Sequence, residues 1–359
     1  MSCVVPCTTF TSLRHLLDRS RLPSWRYVSR QTLIPFVRWE TPYLARIQRS
    51  VRSPALDTYF SIMANLGTHT FYMIFLPILF WCGHTALGRA MVNVLATGVF
   101  FSGCLKDLWC MPRPLSPPLH RITMSSSATL EYGFPSTHST NAVSVALYIL
   151  VLLSSSETPI LPVWRTYLQL IACFYALSIV LGRLYCGMHG FFDVVVGSSL
   201  GAILSVLQFG FGQEFDNMIY SSSIQAPLTL ALIILILVRI HPEPADDCPC
   251  FDDSVAFAGV VIGIYLGSWR FAQRDVAWDS QGLATVPFHF ESLGLSKTIA
   301  RVMLGTAMIV FWKEAMKPIL LKLLPYLLRV IEKMGLSHAR RFFIPASCVR
   351  PSPKVITSC

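Results

Sequence analysis

Three short polar clusters interrupt an otherwise apolar chain of 359 residues, and their side chains are those that phosphate chemistry needs. In chain order they are Lys106 with Arg113-Pro114, then Pro135-Ser136-Thr137-His138, and then Arg183 with His189 and Asp193. Each cluster lies at the end of an apolar segment, where ionisable residues are costly unless they have a function. We therefore take these clusters as the candidate functional residues.

The cations and one helix start predict a site for phosphate. Lys106, Arg113 and Arg183 suit a dianion, since arginine offers bidentate hydrogen bonds and lysine a compact point charge. Ser136 and the amide of Thr137 are expected to open a helix, where free N–H groups and the helix dipole favour an anion.

The two histidines complete the set needed for a two-step displacement at phosphorus. One imidazole can attack the phosphorus atom while the other protonates the departing oxygen. Asp193 follows His189 by four residues and would share a face with it if both lie on one helix. Its carboxylate would then fix the tautomer of His189 and stabilise the charged intermediate. His138 and His189, taken singly, have ordinary structural explanations, and only the joint pattern favours function.

The elements that carry these clusters are apolar enough to be membrane helices. Apolar residues make up 53% of the chain and charged residues 13%, against about 25% charged in a soluble domain. A membrane-spanning helix needs about 20 apolar residues. Seven windows approach that length, and two weaker ones follow, which gives eight or nine spans. They are residues 70–86, 91–105, 140–153, 168–181, 194–211, 226–238 and 255–269, then 299–312 and 318–331.

Alternation of these spans across the membrane places all three clusters on one face. The second span ends on that face, the third begins there, the fourth returns to it and the fifth leaves from it. The sequence therefore predicts an all-α fold, a polytopic membrane bundle whose polar span ends meet.

Three regions are expected along the chain: a basic leader at 1–56, a multi-span membrane domain at 57–333 and a basic, disordered tail at 334–359. The excess of 29 Lys and Arg over 19 Asp and Glu lies mostly in the leader. Beside membrane spans, such a segment favours contact with anionic lipid over nucleic acid, so we expect membrane lipid and no nucleic acid as partners. The stretch 22–39 lacks acids, which leaves a mitochondrial targeting signal open.

No cofactor and no metal ion is expected. The 11 cysteines are scattered, and none forms the C-x-x-C pair typical of a zinc site. Buried structural thiols are the favoured interpretation.

The three clusters resemble the signature of the type 2 phosphatidic acid phosphatase superfamily. That signature is Lys, six residues and Arg-Pro, then Pro-Ser-x-His, then Arg, five residues, His, three residues and Asp. The resemblance covers about 70–211 and implies a six-helix, metal-free phosphatase core, to which this chain adds C-terminal spans. It implies that His189 is the nucleophile, His138 the general acid and Asp193 the partner of His189. It assigns phosphate binding to Lys106, Arg113, Ser136, Thr137 and Arg183.

The residues in and around the second and third motifs are similar to those of the sphingosine-1-phosphate phosphatase branch, whose fungal members are called long-chain base phosphate phosphatases. Gly182 and Thr137 stand where many superfamily members have serine and glycine, and neither change removes a catalytic group. The branch implies dephosphorylation of dihydrosphingosine or phytosphingosine 1-phosphate to the free base, in the endoplasmic reticulum membrane. Glu131 is a weak candidate for contacting the amine of such a substrate, and a solvated loop carboxylate is its more ordinary interpretation.

Alternatives stay open at this stage. Another substrate of the superfamily, such as dolichyl pyrophosphate, phosphatidate or a sugar phosphate, fits the same motifs, and a transporter or scaffold without turnover is a further class. The basic leader favours a cytosolic site by the positive-inside rule, whereas the resemblance implies a lumenal one. The oligomeric state is not predicted.

Overall fold

The structure, a computed structural model, describes residues 21–123, 130–155, 161–221, 223–273, 285–286, 288–335 and 340. Within these ranges it has ten α-helices and no strand, which confirms the predicted all-α fold. The helices are α1 Ser24–Val51, α2 Pro54–Asn65, α3 His69–Trp81, α4 Thr85–Trp109, α5 Thr137–Ser154, α6 Pro162–Tyr185, α7 Phe191–Ser221, α8 Gln225–Arg239, α9 Cys250–Ala272 and α10 Phe290–Lys333.

The expected count of eight or nine spans is too high for the described residues. Six helices, α4 to α7, α9 and α10, are long and apolar enough to cross a membrane. A seventh span results if α2 and α3, bent by 54° at their junction, are taken together. The window at 226–238 lies in α8, which has only 15 residues. Both weak windows, 299–312 and 318–331, fall within the single helix α10.

The chain forms two compact units, residues 1–289 and residues 290–359. The second unit contains α10, whose 44 residues include Pro318 and Pro325 and a non-helical Gly294 with φ 71°. None of the described residues of α10 is buried. Its apolar side chains are exposed, as expected for a surface that faces lipid.

The first unit is organised around α4, the most buried of its candidate spans. α5 and α7 pack backbone to backbone, because a Cβ at Gly197 would lie 2.6 Å from the carbonyl oxygen of Ser136. α9 packs on α4, where Asn93 donates a hydrogen bond to Tyr265 at 2.6 Å. The added helix α9 is therefore an integral part of the bundle that carries the motifs.

Helix α1 shows that much of the basic leader belongs to this bundle. Arg26 donates to the carbonyl of Leu108 at 2.7 Å, and the fully buried Arg30 donates to that of Cys110 at 3.0 Å. These carbonyls are at the C-terminal end of α4, where cations are favourable. Arg26 and Arg30 thus face protein, contrary to the expected lipid contact. The opposite face of α1 exposes Trp39 and other apolar side chains with arginines between them.

Gln48 ties α1 to the segments that lead into the site. Its amide donates to the carbonyls of His120 and Tyr185, each at 2.7 Å, and accepts the His120 N–H at 2.8 Å. One buried side chain thus satisfies three backbone groups, two at His120 and one at the C-terminal end of α6.

Only residues 334, 335 and 340 of the expected tail are described. The prediction of a disordered tail lies outside the described residues, as do residues 1–20 of the leader and 124–129 of the proline-rich loop. The division of the chain at 56 and 333 stays a prediction.

We predict that Gln48→Ala destabilises the protein by about 2–4 kcal/mol, because one buried and two partly buried backbone groups lose their partner. Thermal unfolding in detergent measures the effect, and Arg49→Ala is the control since Arg49 is exposed on the same helix. Equal unfolding temperatures for the two variants would contradict this role of Gln48.

Candidate active site

The structure brings the eight predicted site residues to one end of the first unit. Lys106 lies in the last turn of α4 and Arg183 in the last turn of α6. Ser136 caps α5, and Asp193 lies in the first turn of α7. The remaining four are Arg113, Thr137, His138 and His189.

The turn between α6 and α7 sets the position of His189. Gly187 has φ 61°, which favours glycine, and the N–H groups of Met188 and His189 both bond to the carbonyl of Arg183 at 3.2 and 3.3 Å. α7 begins at Phe191, so His189 precedes that helix. The expectation that His189 and Asp193 share a helix face is therefore wrong, because the glycine turn ends the helical path before His189.

The imidazole of His189 lies between a carbonyl and a guanidinium. Its Nδ1 is 2.7 Å from the carbonyl oxygen of Gly133, and its Nε2 is 3.1 Å from Nη1 of Arg113. A carbonyl only accepts and a guanidinium only donates, so Nδ1 carries the proton and Nε2 presents a lone pair.

Asp193 lies near His189 but makes no direct hydrogen bond to its imidazole. Its Oδ2 lies 3.7 Å from Nδ1 of His189 and accepts the N–H of Gly190 at 2.9 Å. The hydrogen bond expected from Asp193 is made by Gly133. Oδ1 of Asp193 is buried and has no hydrogen-bond partner among the described residues.

Burial, reinforced by the positive charges of Arg113 and Lys106, holds the pKa of His189 well below its ordinary value. The imidazole is therefore neutral at neutral pH, the form in which Nε2 can act as a nucleophile.

A cavity of about 270 Å³ adjoins these residues and contains Lys106, Thr137, His138 and Arg183 in its lining. Lys106 and Arg183 are both buried, and Nε of Arg183 has no hydrogen-bond partner within the described part of the chain. Buried guanidinium groups are stable only when paired, which favours an anion at this position.

Ser136 acts in the structure as the cap of α5. Its buried Oγ accepts the N–H of Ser139 at 3.4 Å and lies 2.9 Å from the Ser139 hydroxyl. Thr137, in contrast, lines the cavity, with Oγ1 2.9 Å from Oγ of Ser102. The start of α5 thus adjoins the cavity, while the Ser136 hydroxyl is used within the helix cap.

Glu131 is a site residue that the sequence underrated. Its Oε2 lies 2.6 Å from Nζ of Lys106 and 3.6 Å from Nη2 of Arg113. Burial by itself raises the pKa of Glu131, but these two cations more than offset it and lower the pKa below its ordinary value. An ionised carboxylate therefore neutralises part of the cation cluster, and a solvated loop position is excluded.

Glu40 and Gly133 were missed entirely. Oε2 of Glu40 accepts the N–H of Phe192 at 3.2 Å, so a residue of α1 holds the start of α7. A Cβ at Gly190 would overlap the Glu40 carboxylate, and one at Gly133 would lie 2.9 Å from the carbonyl of Pro112. The available signals were the single acid between residues 19 and 56 and the glycine just before Phe134-Pro135.

One group of potential metal ligands exists among the described residues. The ligand atoms of Asp107, Cys248 and Cys250 lie within 4.8 Å of one another. A disulfide joins Cys248 and Cys250, so the expected free thiols are absent there and the two sulfurs are not available as thiolate ligands. None of the eight predicted site residues belongs to this group, and the metal-free site stays a prediction.

Comparison with known proteins shows the family of the chain. The PAP2 superfamily model matches residues 69–215, which contain all three motifs. A dihydrosphingosine 1-phosphate phosphatase of Schizosaccharomyces pombe is 42% identical over 302 residues, 84% of this chain and 72% of that protein. The dihydrosphingosine 1-phosphate phosphatase YSR3 of Saccharomyces cerevisiae is 37% identical, over 84% of this chain and 74% of its own.

Lipid phosphate phosphatase delta of Arabidopsis thaliana is 32% identical, over 91% of this chain and 75% of that protein. Similarity at this level covers most of both chains and is not confined to the motifs. The chain therefore belongs to the PAP2 superfamily, in its sphingosine and dihydrosphingosine 1-phosphate phosphatase branch, and is a multi-span membrane phosphatase.

Proposed function

We propose that this phosphatase hydrolyses long-chain base 1-phosphates, such as dihydrosphingosine or phytosphingosine 1-phosphate, to the free base through a phosphohistidine on His189. The observation that supports it most is the placement of His189, with Nδ1 on the carbonyl of Gly133 and Nε2 beside Arg113. The lone pair is thereby aimed at a cation that would hold phosphate.

In the first step, Nε2 of His189 attacks phosphorus, and the bond from phosphorus to the ester oxygen breaks. His138, which lines the cavity, gives its proton to the departing alkoxide, and the long-chain base leaves as an alcohol. Lys106, Arg113 and Arg183 balance the charge on the phosphoryl oxygens. As Nε2 bonds to phosphorus, the imidazole becomes positive, and the nearby Asp193 carboxylate and the Gly133 carbonyl stabilise it.

In the second step, water attacks the phosphoryl group on His189. His138, now neutral, takes a proton from that water, and the bond between Nε2 and phosphorus breaks. Inorganic phosphate leaves, and both histidines regain their starting protonation. His138 thus acts as the acid in the first step and as the base in the second, while His189 keeps its Nδ1 proton on the carbonyl of Gly133 throughout.

A lipid substrate is supported by where the cavity lies. Its lining includes the ends of α4 and α6 and the start of α5, so a phosphate group bound there is at the level of the lipid headgroups. A hydrocarbon chain can remain among the apolar helices, and each buried methylene contributes about 0.8 kcal/mol relative to water. The relatives named as dihydrosphingosine 1-phosphate phosphatases support the sphingoid class. We place the reaction in the endoplasmic reticulum membrane, as the branch implies.

We predict that His189→Ala lowers kcat by more than about 1,000-fold, because no other group can form the bond to phosphorus. Hydrolysis of dihydrosphingosine 1-phosphate by purified protein measures it, with His84→Ala as a control, since His84 is exposed and outside the cavity. Most of the activity persisting in a folded His189→Ala variant would rule out this nucleophile.

His138→Ala is predicted to lose about 100-fold to 10,000-fold in kcat with a lipid alkoxide as leaving group. The loss should be much smaller with p-nitrophenyl phosphate, whose phenolate departs without a proton. Comparison of the two substrates in the same variant measures this difference. Equal losses would show that His138 does not act as the general acid.

Activity is predicted to survive chelation and to be blocked by vanadate, because three cations and a helix start take the place that a metal ion has in other phosphatases. The measurement is turnover after dialysis against EDTA, with and without added zinc or magnesium. Loss of activity in EDTA with recovery on adding zinc or magnesium would contradict the prediction.

The enzyme is predicted to prefer a single-chain long-chain base phosphate to two-chain phosphatidate. The test compares kcat/KM for dihydrosphingosine 1-phosphate and phosphatidate in the same mixed micelles. Equal values, or a preference for phosphatidate, would return the assignment to a general lipid phosphate phosphatase without affecting the histidine mechanism.

A further inference from the structure

The cavity has acidic as well as basic side chains in its lining. Besides Lys106 and Arg183, it contains the carboxylates of Glu131 and Asp253. A site that bound phosphate alone would gain nothing from carboxylates, because they repel the anion. The two acids therefore need separate explanations.

Glu131 is accounted for by the protein's own cations. It contacts Lys106 at 2.6 Å and Arg113 at 3.6 Å, and its backbone carbonyl accepts from Nε of Arg113 at 3.1 Å. Three cations less this carboxylate leave an excess of two positive charges, if the two histidines and the Asp193 carboxylate beside His189 are counted separately, and this excess matches a phosphate monoester dianion. Glu131 is thus part of the charged group that would bind phosphate. The sequence-based suggestion that it contacts an amine is not supported.

Asp253 is held differently. It lies in the first turn of α9, beyond the stretch 69–215 that matches the superfamily model, and its side chain is 39% exposed. Its carboxylate lies 3.7 Å from Nδ1 of His69, whose ring packs edge to face on Phe257 with centroids 4.7 Å apart. Asp253 thus presents a carboxylate to the cavity from a helix that the phosphate chemistry does not require.

We propose that Asp253 is a specificity residue that accepts the ammonium group of the substrate while the cation cluster holds its phosphate. In a long-chain base 1-phosphate the amine is on the carbon next to the phosphorylated one, so both charges enter one cavity. The phosphate dianion meets the excess of two positive charges, and the ammonium meets the remaining carboxylate. This inference rests on the proposed function and names the residue that recognises the substrate class.

Asp253 has two ordinary alternative roles, which are to hold the ring of His69 and to stabilise the N-terminus of α9 through the helix dipole. Asp252 provides the matched control, because it lies in the same turn, carries the same charge, is exposed and does not line the cavity. A dipole effect would be lost equally in Asp252→Asn and Asp253→Asn, whereas ammonium recognition would be lost only in the second.

The experiment compares wild type, Asp253→Asn and Asp252→Asn with two substrates in the same mixed micelles. One substrate is dihydrosphingosine 1-phosphate, and the other is octadecyl phosphate, which has a similar chain and phosphate but no amine. Asp253→Asn is expected to lower kcat/KM for the amine substrate by about 10-fold to 100-fold. Octadecyl phosphate turnover is expected to stay within about twofold, as are both substrates with Asp252→Asn.

Two outcomes in Asp253→Asn would overturn the inference: an equal loss with both substrates, or no loss with either. Wild-type behaviour tests the proposed function separately. If wild type has equal kcat/KM values for octadecyl phosphate and for the amine substrate, the sphingoid preference fails and this role of Asp253 fails with it. If wild type prefers the amine substrate and Asp253→Asn keeps that preference, the proposed function stands and only the inference is wrong.

Discussion

Repulsion among buried cations is the constraint on which the rest of the site depends. Lys106, Arg113 and Arg183 are all buried at one end of the bundle, and Glu131 is the carboxylate that contacts two of them. Buried like charges are tolerated only where an anion relieves them. Burial, reinforced by these charges, keeps the pKa of His189 low, so an arrangement suited to phosphate also keeps the proposed nucleophile neutral.

Such a cluster needs a rigid surrounding structure, and the neighbouring helices provide it through backbone contacts. α5 and α7 approach each other closely at a glycine, and Arg26 and Arg30 of α1 bond to the C-terminal end of α4. Gln48 bonds to the backbone of His120 and to the end of α6. Few of these contacts depend on the hydrophobic effect, which gives little driving force between helices that are already in lipid. Hydrogen bonds and close backbone approach therefore carry much of the specificity of the bundle.

The sequence predicted the helical fold, the membrane setting and the convergence of the motifs, because apolar length and the direction of threading determine them. It did not predict that Gly133 would take the hydrogen bond expected from Asp193, since a backbone carbonyl leaves no trace in residue type. The sequence analysis treated residues 24–51 as part of a leader. An arginine-rich segment has the same composition whether its side chains contact lipid or bond to the C-terminal end of α4. The span count was too high because hydropathy windows cannot tell a short helix from a spanning one.

Our two proposals place the chemistry and the choice of substrate in different parts of the chain. Lys106, His138 and His189, to which we assign phosphoryl transfer, all lie within the stretch that matches the superfamily model. Glu40 and Asp253 lie outside it, one on α1 and the other on α9, yet one holds the start of α7 and the other enters the cavity. A shared core can thus keep one reaction while flanking helices vary what reaches it. Differences among related phosphatases are therefore to be sought first where α1 and α9 meet that core.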